Sequence, residues 1–245
     1  MLYEIVKNIA LKVIPKSLIV GQEQFFRKLI FSFYKGSSFQ CPVCEKKLRA
    51  FIGLNVGDKL CPYCGSPARH RRLWTLLQPL LRDKVNVLDF SPPRCLFRKM
   101  KELGHIKYTP TDFVGEFLAS KNLDITQLDL EDNSYDLIVC YHVLEHVEKD
   151  RQAMQELFRV LKPSGSCFIQ TPFKEGDIYE NSAITGEKER KEHFGQEDPV
   201  RIYSVAGLKQ RLVSAGFQVK QLDFSEQEDN YYGFRETETV LVATK

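Results

Sequence analysis

Four of the seven cysteines form two pairs with the same internal spacing, a pattern that brings distant parts of the chain to one site. The pairs are Cys41-Pro-Val-Cys44 and Cys61-Pro-Tyr-Cys64, separated by 16 residues. Two residues between cysteines place both sulfur atoms on one side of a tight turn, and two such turns complete a tetrahedral site for Zn²⁺. A site of four thiolates has no open position, so we expect a structural zinc ion. The alternatives are four unrelated thiols, or two disulfides in an oxidising compartment.

The first third of the chain is basic. Residues 1–81 contain 13 Lys and Arg against 4 Asp and Glu, whereas residues 82–245 contain 22 against 28. This excess predicts either a solvated basic face or an anionic partner such as RNA, a lipid headgroup or a phosphorylated substrate. The consecutive side chains Arg69-His70-Arg71-Arg72 are candidates for RNA contact.

Apolar residues at helical spacing predict two amphipathic helices within residues 1–35, with a break at Pro15. Their apolar faces are expected to dock on the rest of the chain or on an anionic membrane surface. No apolar run reaches the roughly 18 residues of a membrane span, and the N-terminus lacks the uninterrupted apolar core of a signal peptide. We therefore expect a cytoplasmic protein, peripheral at the inner membrane face if these helices bind lipid.

From Val85 onward, short apolar segments alternate with helical ones, which is typical of a parallel α/β sheet. The pattern predicts helices at about 94–104, 149–161 and 204–215. It predicts seven strands, the last two an antiparallel pair at the edge: Val85–Phe90, Ile106–Phe113, about Leu123–Ile125, Tyr135–His142, Ser166–Phe173, 217–224 and 239–244. In such a sheet the ligand binds at the carboxyl ends of the strands.

Three carboxylates follow these strand ends: Asp89, Asp112 and Asp124. Together with Glu131-Asp132-Asn133-Ser134-Tyr135-Asp136-Leu137-Ile138-Val139, His142-Val143-Leu144-Glu145-His146 and Leu157-Phe158-Arg159-Val160-Leu161-Lys162-Pro163-Ser164-Gly165, they carry a resemblance. The sequence resembles the class I S-adenosylmethionine-dependent methyltransferases over about residues 85–173. With the cysteine module and His193-Phe194-Gly195, the whole chain is similar to bacterial zinc-ribbon methyltransferases associated with surface-polysaccharide genes.

The resemblance implies a Rossmann-like fold and assigns the S-adenosylmethionine site residue by residue. Asp89 and the backbone of Phe90, Ser91 and Pro92 would face the methionine and ribose, and Asp112 would accept from the ribose hydroxyls. Asp124 would accept from the adenine amine beside the Ile125 backbone, and Cys140 and Tyr141 would line the sulfonium. Strand-end capping is the alternative role of each aspartate.

The sequence departs from the family at two places. The usual glycine-rich first loop is Ser91-Pro92-Pro93-Arg94-Cys95, and proline removes N–H donors. Only 11 residues separate Asp112 from Asp124, too few for a full crossover helix and strand, so this side of the adenine pocket should be abbreviated.

Two histidines are candidate catalytic bases. His142 ends the fourth predicted strand, and His193 lies in residues 174–203, a long segment after the fifth strand that we interpret as a lid over the methyl group. We expect His193 to be the base and Arg201 to anchor an anionic part of the acceptor. His142 and His146 also satisfy H-x-x-E-H, a zinc-peptidase motif, but here it closes a strand instead of lying within a helix.

These inferences divide the chain into an amphipathic segment at 1–38, a zinc ribbon at 39–66, a linking helix at 67–82 and a methyltransferase domain at 83–245. The expected activity is methyl transfer, as O-methylation, to a small-molecule, glycan or lipid-linked acceptor. The alternatives are a ribosomal-RNA methyltransferase and a non-catalytic module with a degenerate methyltransferase fold.

Overall fold

A computed structural model describes residues 16–54, 57–113, 115, 117–225 and 230–245. The chain divides into two compact units. The first comprises residues 1–80 and 225–238, and the second comprises residues 81–224 and 239–245. The predicted division placed residues 225–238 in the C-terminal domain, whereas in the structure they belong to the first unit.

The first unit consists of helices and short hairpins around the cysteine pairs. Helix α1 spans Lys16–Ser32, so the second of the two predicted amphipathic helices is present, whereas the first lies outside the described residues. The remaining elements are β1 (Lys35–Gln40), β2 (Lys47–Leu48), β3 (Ile52–Gly53), β4 (Lys59–Leu60) and α2 (Ala68–Leu77), followed by a 3₁₀ turn at Gln78–Leu80. Strand β1 pairs antiparallel with β2, and β3 pairs antiparallel with β4.

Residues 231–233 are held to the rest of the first unit by hydrogen bonds to their backbone carbonyls. The Gln40 N–H donates to the Tyr231 carbonyl at 3.1 Å. The Arg71 Nε donates to the Tyr232 carbonyl at 2.8 Å, and its guanidinium also donates to the Gly233 carbonyl. Contacts between residues about 160 positions apart are invisible to local sequence patterns, because neither segment carries a periodicity that names its partner.

The second unit is a Rossmann-like sheet with helices. Its elements are β5 (Asn86–Phe90), α3 (Arg94–Glu102), β6 (Lys107–Thr111), β7 (Tyr135–Tyr141), α4 (Asp150–Val160), β8 (Leu161–Gln170), β9 (Tyr179–Glu180), α5 (Glu187–Phe194), β10 (Arg201–Ile202), α6 (Val205–Ser214), β11 (Gln218–Ser225) and β12 (Thr237–Thr244). A 3₁₀ turn covers Leu144–His146. The sheet order is β11-β12-β8-β7-β5-β6.

Strands β6, β5, β7 and β8 are parallel, and β12 runs antiparallel to β8. The predicted α/β class and antiparallel last strand are confirmed. Buried apolar residues from β5, β7 and β8 pack with α4 and α6 in one core that includes Leu88, Ile138, Leu157 and Leu212. This packing fixes the strand ends, which lie in register: Phe90 is opposite both Thr111 and Cys140, and Tyr141 is opposite Gln170.

The prediction of seven strands is wrong for the described residues, where the sheet has six. Residues 123–125 lie outside any strand. The chain instead forms a one-residue parallel bridge between Thr111 and Lys121, and the Asp112 N–H donates to the Lys121 carbonyl at 3.1 Å. The 11 residues between Asp112 and Asp124 are too few to leave the sheet and return as a full strand, since such a crossover takes about a dozen or more.

Candidate functional sites

The four paired cysteines converge on one point. Their Sγ atoms all lie within 4.8 Å of one another, and the Cys41–Cys64 and Cys44–Cys61 pairs are each 3.7 Å apart. A disulfide requires about 2.05 Å, whereas a tetrahedron with Zn–S bonds of about 2.3 Å has edges of about 3.8 Å. The geometry therefore fits a tetrahedral metal ion and excludes disulfides between these pairs.

Both cysteine turns have the same backbone pattern. The N–H four residues after each first cysteine donates back to that cysteine's carbonyl, from Glu45 to Cys41 at 2.7 Å and from Gly65 to Cys61 at 3.0 Å. Glu45 and Gly65 both have positive φ, 61° and 77°. Each turn thus aims two sulfur atoms inward, as the spacing predicted.

The buried Arg71 lies beside the cysteine cluster. Its guanidinium donates to the carbonyls of Lys59 (2.9 Å) and Ser66 (2.5 Å), as well as to Tyr232 and Gly233, and stacks 4.2 Å from the Phe51 ring centroid. Burial lowers the pKa of Arg71, and the nearby thiolates of Cys41 and Cys61 act in the opposite direction. Arg71 and Arg72 are 0% and 7% exposed, so neither is a surface RNA contact.

In the second unit, polar side chains collect at the carboxyl ends of the parallel strands. Within the described residues, this region contains six buried polar atoms that have no hydrogen-bond partner in the protein: Asp89 Oδ1, Thr111 Oγ1, His142 Nε2, Glu145 Oε2, Gln170 Oε1 and Thr171 Oγ1. Buried polar atoms in native proteins are nearly always hydrogen-bonded, to protein, water or ligand. This edge of the sheet is therefore the candidate ligand site, as expected for an open parallel sheet.

Asp89 is fully enclosed at the end of β5. The Tyr108 hydroxyl donates to its Oδ2 at 2.8 Å. Burial raises the pKa of Asp89 to about 7, against the opposing effect of the Tyr108 hydrogen bond. Tyr108 was not predicted to be a site residue. It lies opposite Val87 on the neighbouring strand, which is consistent with its hydrogen bond to Asp89.

The raised pKa of Asp89 predicts that Asp89→Asn stabilises the second unit at neutral pH. Between the ordinary value of 3.8 and about 7, the folded protein binds more protons at Asp89 than the unfolded chain, so the unfolding free energy falls as pH rises. The gain from Asp89→Asn should grow over this window and level off above about pH 7. Urea denaturation followed by circular dichroism at several pH values measures it. The exposed Asp129→Asn is the control, and parallel curves for wild type and Asp89→Asn would contradict the prediction.

The loop after β5 replaces glycine with a strained serine. Ser91 has φ 49°, its N–H donates to the Thr111 carbonyl at 2.7 Å, and its Oγ donates to Asp112 Oδ1 at 3.0 Å. Pro92 and Pro93 carry no N–H. Residues 91–93 therefore present no unoccupied backbone donor, and Ser91 ties the ends of β5 and β6 together.

The residues predicted to bind the ribose and adenine, Asp112, Asp124 and Ile125, differ in burial. Asp112 is buried, and its Oδ2 accepts from the Phe117 N–H at 3.1 Å. Asp124 is exposed, with Oδ1 accepting from the N–H and hydroxyl of Thr126, both at 2.8 Å. Ile125 is buried in the apolar core. Asp124 thus caps a turn through one oxygen.

The other predicted cofactor residues lie at the same strand ends. Phe90, Pro92, Cys140 and Tyr141 are all buried. Phe90 and Cys140 belong to the apolar core, and burial raises the pKa of the Cys140 thiol far above its usual range.

The predicted catalytic residues separate into two environments. His193 is exposed on α5, with its Nδ1 2.6 Å from the Tyr179 hydroxyl. His142 follows β7, with its Nδ1 3.2 Å from Glu145 Oε1, and Glu145 is 4% exposed. The sequence had named Glu145 only within H-x-x-E-H. Within the described part of the chain, the cysteine cluster is the only set of side chains arranged to hold a metal, so the zinc-peptidase interpretation has no support.

Arg201 is enclosed by protein acceptors. It donates to Glu180 Oε2 at 2.9 Å and to the carbonyls of Leu144 (3.1 Å), Val147 and Glu148 (2.9 Å). These contacts occupy most of its donors and connect β10 to the turn at 144–148. The anchoring of an acceptor by Arg201 stays a prediction.

Residues 76–169 match the family described as Methyltransferase domain. This match covers less than half of the chain. The chain is 34% identical over 88 residues to the human thiol S-methyltransferase TMT1B, an alignment that covers 35% of this chain and 33% of the human protein. The chain thus spans about a third of the length of the curated relatives it matches.

Solved structures share the fold of a large part of the chain. An S-adenosylmethionine-dependent methyltransferase from Mesorhizobium loti has a TM-score of 0.52 and 14% identity, covering 70% of this chain and 97% of that one. The [4+2]-cyclase SpnF has a TM-score of 0.52 and 18% identity, covering 71% and 80%. Since a cyclase shares the architecture, the fold by itself does not determine the reaction. The match to the methyltransferase family, and not the fold, points to methyl transfer.

No helix among the described residues is long and apolar enough to cross a membrane.

Proposed function

We propose that this protein is an S-adenosylmethionine-dependent methyltransferase. The observation that carries the proposal is the set of six unpartnered buried polar atoms at the carboxyl ends of β5 to β8, within a domain of the methyltransferase family. S-adenosylmethionine, when bound, supplies an electrophilic methyl group. The chain contributes acceptors for the cofactor's amino and hydroxyl groups, together with an enclosed setting that excludes water.

The residues fit the polar parts of such a cofactor. Asp89 Oδ1 is buried and unpartnered, which suits a hydrogen-bond donor or a positive charge of the methionine portion. Asp112 lies one strand away and is fixed by Ser91. Asp124 accepts from Thr126 through Oδ1 only, which leaves its other oxygen exposed to accept from an exocyclic amine. We propose the same cofactor contacts for these residues as the family resemblance implies.

Titration with S-adenosylhomocysteine tests this proposal. Asp124→Ala is expected to weaken binding about tenfold, because removing one hydrogen bond to a ligand costs on the order of 1 kcal/mol. Asp129→Ala is the matched control, an exposed aspartate five positions away. Isothermal calorimetry of wild type and both variants measures the affinities.

The outcomes separate the two classes of function. Binding by wild type and Asp129→Ala, with the loss confined to Asp124→Ala, supports the methyltransferase. No heat and no thermal shift with the wild-type protein at millimolar ligand would favour a non-catalytic binding module instead.

We propose in addition that the cysteine cluster binds one structural zinc ion. The support is the 3.7 Å sulfur spacing and the complete set of four thiols, which leaves no position for substrate. The ion would stabilise the fold of the first unit and take no part in methyl transfer.

The proposed acceptor is a small molecule, a glycan or a lipid-linked compound. The human relative's name adds a thiol as a competing acceptor class. Ribosomal RNA is a weaker candidate, because the burial of Arg71 and Arg72 removes two of the four side chains that favoured it. Screening transfer of a labelled methyl group into pools of these acceptors distinguishes the classes.

Contact with a membrane surface through residues 1–35 stays a prediction. The described part of this segment has an exposed apolar face on α1 and just beyond it, formed by Phe25, Phe26, Leu29 and Phe33. Exposed lysines at positions 28 and 35 border it, an arrangement that suits anionic lipid.

A further inference from the structure

The turn after β7 holds an imidazole in a strained backbone conformation. His142 has φ 55°, a region that non-glycine residues rarely adopt, and its N–H donates to the Gln170 carbonyl at 2.8 Å. Such strain persists where the surrounding structure enforces it, often at functional sites. The fold therefore fixes His142 at the carboxyl end of the sheet, beside the candidate cofactor site.

A buried carboxylate orients this imidazole. Glu145 Oε1 lies 3.2 Å from His142 Nδ1 and 3.9 Å from His146 Nε2, and the Glu145 side chain is 5% exposed. A carboxylate next to Nδ1 favours the neutral tautomer with the proton on Nδ1. Nε2 then carries the lone pair.

The Nε2 atom of His142 is buried and has no hydrogen-bond partner in the described protein. It lies on the edge of the ring opposite the nitrogen that faces Glu145. Gln170 Oε1 and Thr171 Oγ1, at the end of the neighbouring β8, are also buried and unpartnered. The lone pair of Nε2 therefore shares this strand-end region with other polar groups that lack protein partners.

Arg201 and its neighbour hold the turn that carries Glu145. Arg201 donates to the carbonyls of Leu144, Val147 and Glu148, on both sides of Glu145. The Val200 N–H donates to the Glu145 carbonyl at 2.9 Å. Four bonds to backbone carbonyls fix the turn that carries Glu145, whereas the exposed His193 contacts only the Tyr179 hydroxyl and the rings of Tyr179 and Phe194, within the described residues.

We propose that His142 is the general base of the reaction, that Glu145 positions it, and that the acceptor is a hydroxyl group. This rests on the proposed methyltransferase function and replaces His193 as the expected base. The acceptor oxygen forms a bond to the methyl carbon while the carbon–sulfur bond breaks and its electron pair returns to sulfur. The hydroxyl proton passes to His142 Nε2. A thiol, with a pKa of about 8.5, ionises without such help, whereas an aliphatic or phenolic hydroxyl does not.

The tautomer of His142 tests the proposal without a known acceptor. Nitrogen NMR of ¹⁵N-histidine-labelled protein with S-adenosylhomocysteine distinguishes protonated from bare ring nitrogens. We expect wild type to carry the proton on Nδ1. Glu145→Gln should keep this tautomer because its amide oxygen still accepts, whereas Glu145→Ala should shift the proton to Nε2. His142→Asn identifies the signal and tolerates positive φ.

Kinetics with paired probe acceptors, phenol and thiophenol, provide the second measurement. His142→Asn is expected to slow transfer to phenol by about 10²–10⁴-fold while thiophenol methylation changes little. Wild-type His142 protonated on Nε2, or phenol transfer within about threefold of wild type in His142→Asn, would overturn the proposal. Retained S-adenosylhomocysteine binding in His142→Asn keeps these outcomes separate from failure of the proposed function, which would appear as no binding by wild type.

Discussion

Replacing Cys61 with serine is expected to lower bound zinc from one equivalent to below about 0.2 per chain and to unfold the first unit. Cys61 is fully buried in the four-sulfur cluster, and structural zinc sites of this kind supply about 10–16 kcal/mol of apparent binding free energy. The short strands β2, β3 and β4 have two residues each, too few to hold a hairpin without the ion. Loss of one ligand therefore removes the main source of stability.

Metal analysis and the fluorescence of Trp74 measure this result. Trp74 is the single tryptophan of the chain and is 1% exposed in helix α2 of the first unit, so its emission shifts to longer wavelength when that unit unfolds. Cys167→Ser is the matched control, since Cys167 is equally buried but lies in β8, outside the cluster. Full zinc content in Cys61→Ser, or native Trp74 emission after chelation of the wild type, would show that no structural metal holds this unit.

Replacing Arg71 with alanine is expected to destabilise the first unit by about 3–5 kcal/mol. The substitution removes donors from four backbone carbonyls, those of Lys59, Ser66, Tyr232 and Gly233. It also leaves a cavity beside Phe51 and removes a positive charge near a cluster whose zinc-bound form carries a charge of −2. Arg71 thus joins the cysteine turns to residues 225–238.

Denaturant unfolding followed by Trp74 fluorescence measures the loss. Arg71→Lys should recover only part of the stability, because one ammonium cannot reproduce the planar fork of donors. The exposed Arg49→Ala is the control and should change the unfolding free energy by less than about 0.5 kcal/mol. An Arg71→Ala variant as stable as Arg49→Ala would mean that the buried guanidinium contributes no net stability.

The local patterns of the sequence predicted most elements of the second unit. Short apolar segments between helical ones located β5, β6 and β7 to within two residues. Strands buried on both faces of a parallel sheet are typically such apolar segments. The exception was the segment at 123–125, where Leu123 and Ile125 pack against or within the core without forming a strand. Apolar residues report burial, and burial alone does not distinguish a strand from an extended loop.

The charged and catalytic candidates were harder to predict, because their roles depend on partners distant in sequence. Arg71 and Arg201 are of a residue type that often binds anions at protein surfaces, yet each is buried against backbone carbonyls. A guanidinium has five donors and serves either purpose, and only its neighbours decide which. The sequence analysis favoured His193 over His142 as the base, and in the structure the two differ in burial and in the carboxylate beside His142.

The cysteine cluster and the parallel α/β class follow from the sequence alone, because ligand spacing and the succession of strands and helices are properties of neighbouring residues. Three features follow only from tertiary packing: residues 225–238 complete the first unit, β6 is the edge strand of the sheet within the described residues, and Glu145 faces His142. Each of these depends on which distant segments pack together. That choice minimises the free energy of the whole chain, and no short segment encodes it.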